Sequence, residues 1–437
     1  MRALVLGLGI SGRAAAEFLL ARGFAVTAVE KSEKVLASND VENLHQKGLS
    51  ILPESEIDLK KFALFVPSPG VSSEHPLYLS AQKAKVEIIG EAELAFRTMA
   101  QSAVAITGTN GKTTVTLLVQ HLLNSCGKRA KALGNVGEPL TRYFLSPDPD
   151  ELVVAELSSY QLETISSRVF HAGVILNITP DHLDRYPSMR EYAEAKCRLQ
   201  NCLKPAAPFF VYEKVAHEFG TLLSWDNLFT FGLRESCHFW TDKEKIYEPG
   251  GVEYILPAQY RKMGEHESEN LLAAWLLVKQ FGVEFSQFVQ ALDSFKKPPH
   301  RIEFVREVAG VVYYDDSKGT NLDATIQAVR AMEGPVILIA GGVDKGASYT
   351  LWEPLFKGRV KKIIVLGEAA KKIARELESA FLIEMVGSLE DAVRLAYKEA
   401  SRGDCVLLSP GCSSYDMFRD YAHRGEEFKR YVLGLAQ

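Results

Sequence analysis

The run Val104-Ala105-Ile106-Thr107-Gly108-Thr109-Asn110-Gly111-Lys112-Thr113-Thr114 carries the residue types of a phosphate cradle. A short apolar strand feeds a loop with two glycines, and a lysine and two threonines open a helix. Backbone N–H groups of such a loop, added to the positive end of a helix dipole, bind phosphate anions. Lys112 would neutralise charge on the β- and γ-phosphates, and the Thr113 hydroxyl would sit on Mg²⁺. The loop is shorter than the common P-loop, because the earlier glycine falls at Ile106. A glycine-rich turn before an ordinary helix is the plainer alternative, and the strand–loop–helix context weighs against it. ATP or a close relative is the expected ligand.

Other residues could share this chemistry. Glu156 ends the apolar run Leu152-Val153-Val154-Ala155 and suits Mg²⁺, which takes oxygen donors and one or two carboxylates beside phosphates. Asp181 and His182 follow a comparable run, on a strand-end loop that the fold could bring near Glu156. Lys196 reads as a helix-surface lysine, since an ammonium cannot ligate a cation. Further on, Asp316-Ser317-Lys318-Gly319-Thr320-Asn321, Ala340-Gly341-Gly342-Val343-Asp344-Lys345-Gly346 and Ser409-Pro410-Gly411-Cys412-Ser413-Ser414-Tyr415-Asp416 each follow an apolar run. Such loops at successive strand C-termini form one rim, the usual α/β ligand site. Lys318 and Lys345 suit carboxylates. Helix N-capping alone is the competing account of Ser413, Ser414 and Asp416.

At the start, Gly7-Leu8-Gly9-Ile10-Ser11-Gly12 reads as G-x-G-x-x-G between a strand at Arg2–Leu6 and a helix at Arg13–Arg22. Glu30 ends the next strand, Phe24–Val29, where an acidic residue takes ribose hydroxyls. The pattern is weak evidence for NAD, because any nucleotide diphosphate uses the same geometry. Leu64–Val71 is a strand breaking into Ser68-Pro69-Gly70, either a ligand-bearing turn or a plain tight one.

The elements that must position these residues alternate between strand and helix. A second unit begins near Glu91, with strands at Leu152–Glu156 and Ala172–Ile178. The aromatic stretch Pro205–Pro257 suggests a smaller β-rich insertion or edge, and a helix resumes at Glu269–Phe281. Lys296-Lys297-Pro298-Pro299-His300-Arg301 reads as a linker and hinge. Beyond it, strands at Val311–Tyr314, Val336–Ala340, Lys362–Leu366, Phe381–Val386 and Cys405–Leu408 alternate with helices such as Asn321–Met332 and Leu389–Ala400, which predicts a third, mostly parallel sheet.

Composition agrees with a multidomain globular enzyme: 437 residues, 47% hydrophobic and 24% charged. A net charge of −5 argues against nonspecific nucleic-acid binding. No apolar run approaches the roughly 18 residues of a membrane span. The N-terminus reads as a strand rather than a signal peptide. The six cysteines have no C-x-x-C spacing and read as free thiols in a reducing cytosol.

Taken together, T-G-T-N-G-K-T-T, Glu156-Leu-Ser-Ser, Asn177…Asp181-His182-Leu-Asp184, His300-Arg301 and Asp316-Ser317-Lys318…Thr320-Asn321 resemble the Mur ligases of peptidoglycan synthesis, over the whole chain. The resemblance implies an α/β chain of three domains: an N-terminal Rossmann-like UDP-binding domain at 1–90, a central P-loop ATPase-type domain with a mostly parallel sheet at 91–297, and a C-terminal Rossmann-like amino-acid domain at 298–437. Gly7-Leu-Gly-x-Ser-Gly, Ser68-Pro-Gly-Val71 and Ser409–Phe418 with Arg424-Gly425 most resemble the D-glutamate-adding branch. The implied substrates are ATP, UDP-N-acetylmuramoyl-L-alanine and D-glutamate, used by a cytoplasmic monomer in cell-wall synthesis.

The resemblance also implies roles. Ile10, Ser11, Glu30 and Gly70 would serve the UDP end, and Asn135 the muramoyl part. Gly108, Thr109, Asn110, Gly111, Lys112, Thr113, Thr114, Asn270, Arg301 and Asp316 would hold ATP. Two Mg²⁺ ions would use Thr113, Glu156, His182 and Lys196, with Lys196 carrying CO₂ as an anionic carbamate. Lys318, Thr320, Lys345, Ser414, Tyr415 and Tyr421 would hold D-glutamate. The implied chemistry is phosphorylation of a carboxylate to an acyl phosphate, followed by amine attack, with Lys112, His182, Lys196 and Arg301 as the catalytic set. Two other classes compete: an NAD(P) oxidoreductase, which leaves Lys112–Thr114 and Lys318 unexplained, and a non-catalytic nucleotide-binding protein, which leaves Glu156, His182 and Lys196 unexplained.

Overall fold

The computed structural model describes residues 1–436. They fall into two compact bodies, one of Met1–Ile178 with Arg190–Phe295, the other of Thr179–Met189 with the chain from Lys296 onward. The first body carries two sheets and the second one.

The N-terminal sheet contains β1 (Arg2–Leu6), β2 (Ala25–Val29), β3 (Ser50–Ile51), β4 (Leu64–Pro67) and β5 (Glu87–Ile88), in the order β3-β2-β1-β4-β5 and parallel throughout. Residues 3–6 of β1 are buried on both faces, as helix-covered parallel strands are. The first helix runs Ile10–Ala21, so it opens inside the glycine motif rather than at Arg13 as expected. Gly12 allows this: a Cβ there would lie 1.9 Å from the Gly7 carbonyl oxygen.

The central sheet has nine strands: β6 (Ala103–Thr107), β7 (Ala130–Gly134), β8 (Leu152–Glu156), β9 (Ala172–Ile175), β10 (Phe209–Tyr212), β11 (Leu228–Gly232), β12 (Phe239–Thr241), β13 (Lys245–Glu248) and β14 (Val252–Ile255). Their order, β14-β13-β12-β11-β10-β9-β6-β8-β7, puts β6 between β8 and β9. The phosphate-loop strand is therefore flanked by those that end at Glu156 and lead to Asn177. The aromatic stretch after Pro205 is the far edge of this same sheet, closed by an antiparallel meander through β12, β13 and β14. β9 stops at Ile175, short of Ile178. The helix expected from Glu269 begins a turn earlier, as Glu265–Lys279, and packs on the Lys112–Ser125 helix.

The sheet of the second body contains β15 (Glu303–Val308), β16 (Val311–Asp315), β17 (Val336–Gly341), β18 (Val360–Leu366), β19 (Leu382–Met385) and β20 (Cys405–Leu408), in the order β15-β16-β20-β17-β18-β19. Alternation along the strands fills both faces. Leu338, Ala340, Ile363 and Val365 pack with Trp352 and Phe356, whereas Ile337, Ile339, Ile364 and Leu366 pack with Val393 and Phe428. β15, absent from the sequence reading, is an antiparallel edge turned back at Ala309 and Gly310, both with positive φ. Five cysteines are buried, Cys126 is partly exposed, and all six are free.

Candidate functional site

In the first body, β6 delivers the phosphate loop and Asn177 clamps it. The Asn177 Oδ1 accepts from the N–H groups of Thr109 (3.1 Å) and Asn110 (2.7 Å), and its Nδ2 donates to the Asn110 carbonyl (3.1 Å). Gly111 turns the chain into the helix with φ +83°, and a Cβ there would meet Asn270 Oδ1 at 2.6 Å. Asn270, on the Glu265–Lys279 helix, thus lies directly against the loop. Thr113 and Thr114 sit half-buried in the first turn.

Two lysines share one acceptor here. Lys112 Nζ donates to the Gly108 carbonyl (2.8 Å) and the Thr109 carbonyl (2.9 Å), and Lys196 Nζ donates to the same Gly108 oxygen (2.8 Å). Lys196 is therefore no surface residue, contrary to the helix-surface reading. It is 1% exposed on the Met189–Cys197 helix, with its ammonium 4.6 Å from the centre of the Tyr192 ring. The Tyr192 hydroxyl lies 3.1 Å from Thr109 Oγ1. Two cations drawn to one carbonyl repel each other.

Glu156 is 1% exposed. Its Oε1 accepts from Asn135 Nδ2 at 2.7 Å, while its Oε2 is buried without a hydrogen-bond partner. The register of β7 against β8, Gly134 opposite Glu156, sets this contact, and the Asn135 N–H adds a 2.9 Å bond to the Glu156 carbonyl. A buried carboxylate oxygen with no donor is the arrangement a hard cation completes.

The N-terminal loop is tied down by Glu30. Its oxygens accept from the N–H groups of Leu8 (2.6 Å), Lys31 (2.8 Å) and Ser32 (2.8 Å). Burial pushes this carboxyl up, but those bonds and the nearby Arg13 outweigh it and hold the group below the usual range. Ser68 Oγ donates to the Gly7 carbonyl at 2.9 Å, joining the two turns. Ile10 and Ser11 open the first helix; Ile10 is 67% exposed, and Gly70 in the neighbouring turn is exposed as well.

In the second body, β16, β20 and β17 lie side by side and parallel, so their three polar loops do form one rim. Asp316 is buried in it, accepting from Ser409 Oγ (2.7 Å) and the Ile302 N–H (3.3 Å). Burial raises its carboxyl to about 7 against the lowering effects of Ser409 and Arg301. Arg301 sits between His300 (φ +62°) and Ile302 (φ +49°), two left-handed residues. His300 is fixed by Asp315 at 2.6 Å, in space that Gly425 leaves open. Lys318 lies over the Tyr421 ring, 3.9 Å from its centre. Lys345 pairs with Asp181 at 3.0 Å, and Asn321 Nδ2 donates to the other Asp181 oxygen at 3.2 Å. Asp181 and His182 thus belong to this body with the whole Thr179–Met189 segment. Thr320 is half-buried, Ser414 buried, and Tyr415 74% exposed.

Helix capping does not account for Ser413, Ser414 and Asp416. The next helix starts at Tyr421 and is capped by Asp420, whose side chain accepts from the His423 N–H. Ser413 instead bridges to Val343, and Asp416 accepts from the Glu368 N–H at 2.9 Å. Sequence reasoning also gave no role to Arg424. This buried guanidinium donates to Ser317 Oγ (2.9 Å), the Ser317 carbonyl (2.8 Å) and the Cys412 carbonyl (3.2 Å), so it joins two of the three rim loops. The available signal was the Arg424-Gly425 pair, noted only as a mark of the resemblance, at the start of a helix that buries Phe428 and Val432.

The chain matches known proteins along its length. Residues 1–90 match the Mur ligase MurD-like N-terminal domain, residues 106–278 the Mur ligase middle domain, and residues 300–412 the Mur ligase glutamate ligase domain. It is 50% identical to a UDP-N-acetylmuramoylalanine–D-glutamate ligase of Protochlamydia amoebophila, over 99% of this chain and 97% of that protein. It is 38% identical to the protein of the same name from Caldanaerobacter subterraneus, over 99% and 98%. Among solved structures, a UDP-N-acetylmuramate-alanine ligase of Thermotoga maritima aligns over the full length of both chains with a TM-score of 0.59 at 18% identity. The MurF ligase of Thermotoga maritima, solved in complex with ADP, aligns over 99% of this chain and 95% of its own with a TM-score of 0.61 at 17% identity. The two structures share the fold, and the sequence matches carry the family. With its three α/β domains matched in order, the chain belongs to the Mur ligase family.

Proposed function

We propose that this protein is the ATP-dependent ligase that adds D-glutamate to UDP-N-acetylmuramoyl-L-alanine, acting as a cytoplasmic monomer. The observation that carries the reading is the paired placement of Lys112 and Lys196 on the Gly108 carbonyl of the phosphate loop. Its relatives' printed names supply the substrates. The domain limits proposed are 1–90, 91–297 and 298–437.

The N-terminal domain would hold UDP. Helix-start N–H groups at Ile10 and Ser11 suit the diphosphate, the exposed Ile10 side chain suits one face of a uracil ring, and Glu30 and Gly70 line the same end. Asn135 would meet the muramoyl part. The loop Gly108-Thr109-Asn110-Gly111 would hold the ATP phosphates with Lys112, Thr113 and Thr114. Asn270 would meet adenine, Asp316 the ribose and Arg301 a phosphate.

Within the first body, Glu156 and Thr113 suit Mg²⁺: Glu156 presents a buried oxygen without a donor and Thr113 a hydroxyl. His182 would add an imidazole. Lys196 fits a carbamate: its amine plus CO₂ gives an anionic oxygen donor and one proton, replacing the repulsion between two ammonium groups on Gly108 with attraction. Two bound ions would neutralise phosphate charge as it shifts during transfer.

A carboxylate is a poor electrophile, so the alanyl carboxylate would first take the γ-phosphoryl group, forming an acyl phosphate and releasing ADP. Lys112 and Arg301 would stabilise the charge spreading over the transferred oxygens. The D-glutamate amine, held with its carboxylates on Lys318, Thr320, Lys345, Ser414, Tyr415 and Tyr421, then attacks the acyl carbon, and phosphate leaves. Mass spectrometry of the nucleotide product tests the reading. The expected gain is one glutamyl residue, from the D enantiomer only. Gain of another amino acid would move the specificity, and no gain would overturn the reading.

A further inference from the structure

The cleft beside Lys345, one of the residues that the reading above gives to the amino acid, already contains a carboxylate of the chain. This cleft, open to solvent, is lined by residues including Asp181, Asn321, Asp344, Lys345, Tyr349 and Gly411. One Asp181 oxygen accepts from Lys345 Nζ (3.0 Å) and from the His182 N–H (3.0 Å), and the other accepts from Asn321 Nδ2 (3.2 Å). A cation, a side-chain amide and a backbone N–H are the donors that a free amino acid's carboxylate needs.

The donors are aimed rather than loosely placed. Asn321 caps the Leu322–Ala331 helix, its Oδ1 accepting from the Ala324 N–H at 2.9 Å, and this turns its Nδ2 toward Asp181. The cleft's second acid, Asp344, is balanced by Lys372 (2.8 Å) and by the Tyr349 hydroxyl (3.0 Å). Lys345 is thereby left to Asp181. The segment carrying Asp181 is seated closely, because a Cβ at Gly346 would lie 3.2 Å from the Asp184 nitrogen.

We propose that Asp181 is an internal competitor for the substrate carboxylate and so sets the affinity for the amino acid, an inference that rests on D-glutamate binding in this cleft. With Asp181 in place, a second carboxylate on Lys345 would put two like charges on one cation, which is unfavourable. The incoming carboxylate therefore takes the place of Asp181 at Lys345, while Asn321 holds Asp181 against that exchange, and the charge at the cation stays balanced.

The test is the KM for D-glutamate at saturating ATP, Mg²⁺ and UDP-N-acetylmuramoyl-L-alanine, for wild type, Asp181→Asn and Asn321→Ser. Asp181→Asn keeps the shape and removes the competing charge, and KM is expected to fall about tenfold, which is ~1.4 kcal/mol, with kcat changing less. Asn321→Ser keeps a helix cap but weakens the grip on Asp181, and a smaller fall in KM is expected. It carries the test if Asp181→Asn does not fold. A KM that rises or stays fixed in the folded variants overturns the inference and leaves the ligase reading intact. A wild-type protein that turns over no amino acid overturns both.

Discussion

Lys112 and Lys196 both donate to the Gly108 carbonyl oxygen, each at 2.8 Å, although 84 positions separate them in the chain. The first is where a phosphate-loop lysine is expected. The second is a lysine buried against the same loop. The carbamate proposed above would reverse its charge. Lys196→Gln is expected to lose nearly all ligase activity while folding normally. Wild-type activity should fall when CO₂ and bicarbonate are stripped from the buffer and return on their addition. NMR with labelled CO₂ should show a carbamate resonance that Lys196→Gln lacks; equal activity with and without CO₂ and no such resonance would count against it.

If Glu156 holds the metal as proposed, it trades stability for function. Its Oε2 is buried with no donor, so a neutral amide in its place relieves an unmet charge. Glu156→Gln is expected to raise the unfolding free energy of the metal-free protein by about 1–3 kcal/mol, measured in urea. The same change should cut ligase activity by on the order of 100-fold and weaken its dependence on Mg²⁺ concentration. A variant that is both less stable and fully active contradicts the assignment.

Gly12 has no room for a side chain. A Cβ would sit 1.9 Å from the Gly7 carbonyl oxygen and 2.8 Å from Ser68 Oγ. Gly12→Ala should therefore push the two turns apart and raise the KM for the UDP-linked substrate by about tenfold or more, equivalent to ~1.4 kcal/mol, while the KM for ATP stays near wild type. Equal loss for both substrates would show a global effect instead.

Much of this was legible because it is local. The phosphate loop, the G-x-G-x-x-G turn and the three rim loops are contiguous strings whose residue types state their geometry. The burial of Lys196 was not legible, because a lysine on a short polar helix reads as exposed until the loop it packs against is known. Strand β15 hid behind Glu303, Arg306 and Glu307, whose charges suit an edge strand but break an apolar pattern. The ion pair of Asp181 with Lys345 spans 164 positions, and no periodicity reports it. The stretch after Pro205 read as either an insertion or an edge because its strands are short and aromatic, and the structure makes it the edge, with β10 and β11 continuing the parallel sheet.

Glu93 should make the fold sensitive to acid. It is 1% exposed and accepts from the N–H and hydroxyl groups of Ser166 and Ser167 and from Arg97. Burial alone would raise this carboxyl, but those bonds outweigh it and hold the group below its ordinary 4.5. A depressed carboxylate contributes stability that is full above the unfolded value and is lost as pH falls through the lower folded value. Melting curves of Glu93→Gln and wild type should differ most at neutral pH and converge as pH drops below 4.5. A gap that widens in acid would refute the sign.

The central claim is a D-glutamate-dependent ligase that uses the Lys112 loop, and phosphate release tests it most directly. With ATP, Mg²⁺ and UDP-N-acetylmuramoyl-L-alanine present, release should require D-glutamate, should not be supported by L-glutamate, and should vanish in Lys112→Ala. Release that is indifferent to the amino acid, or that persists in Lys112→Ala, would contradict the account.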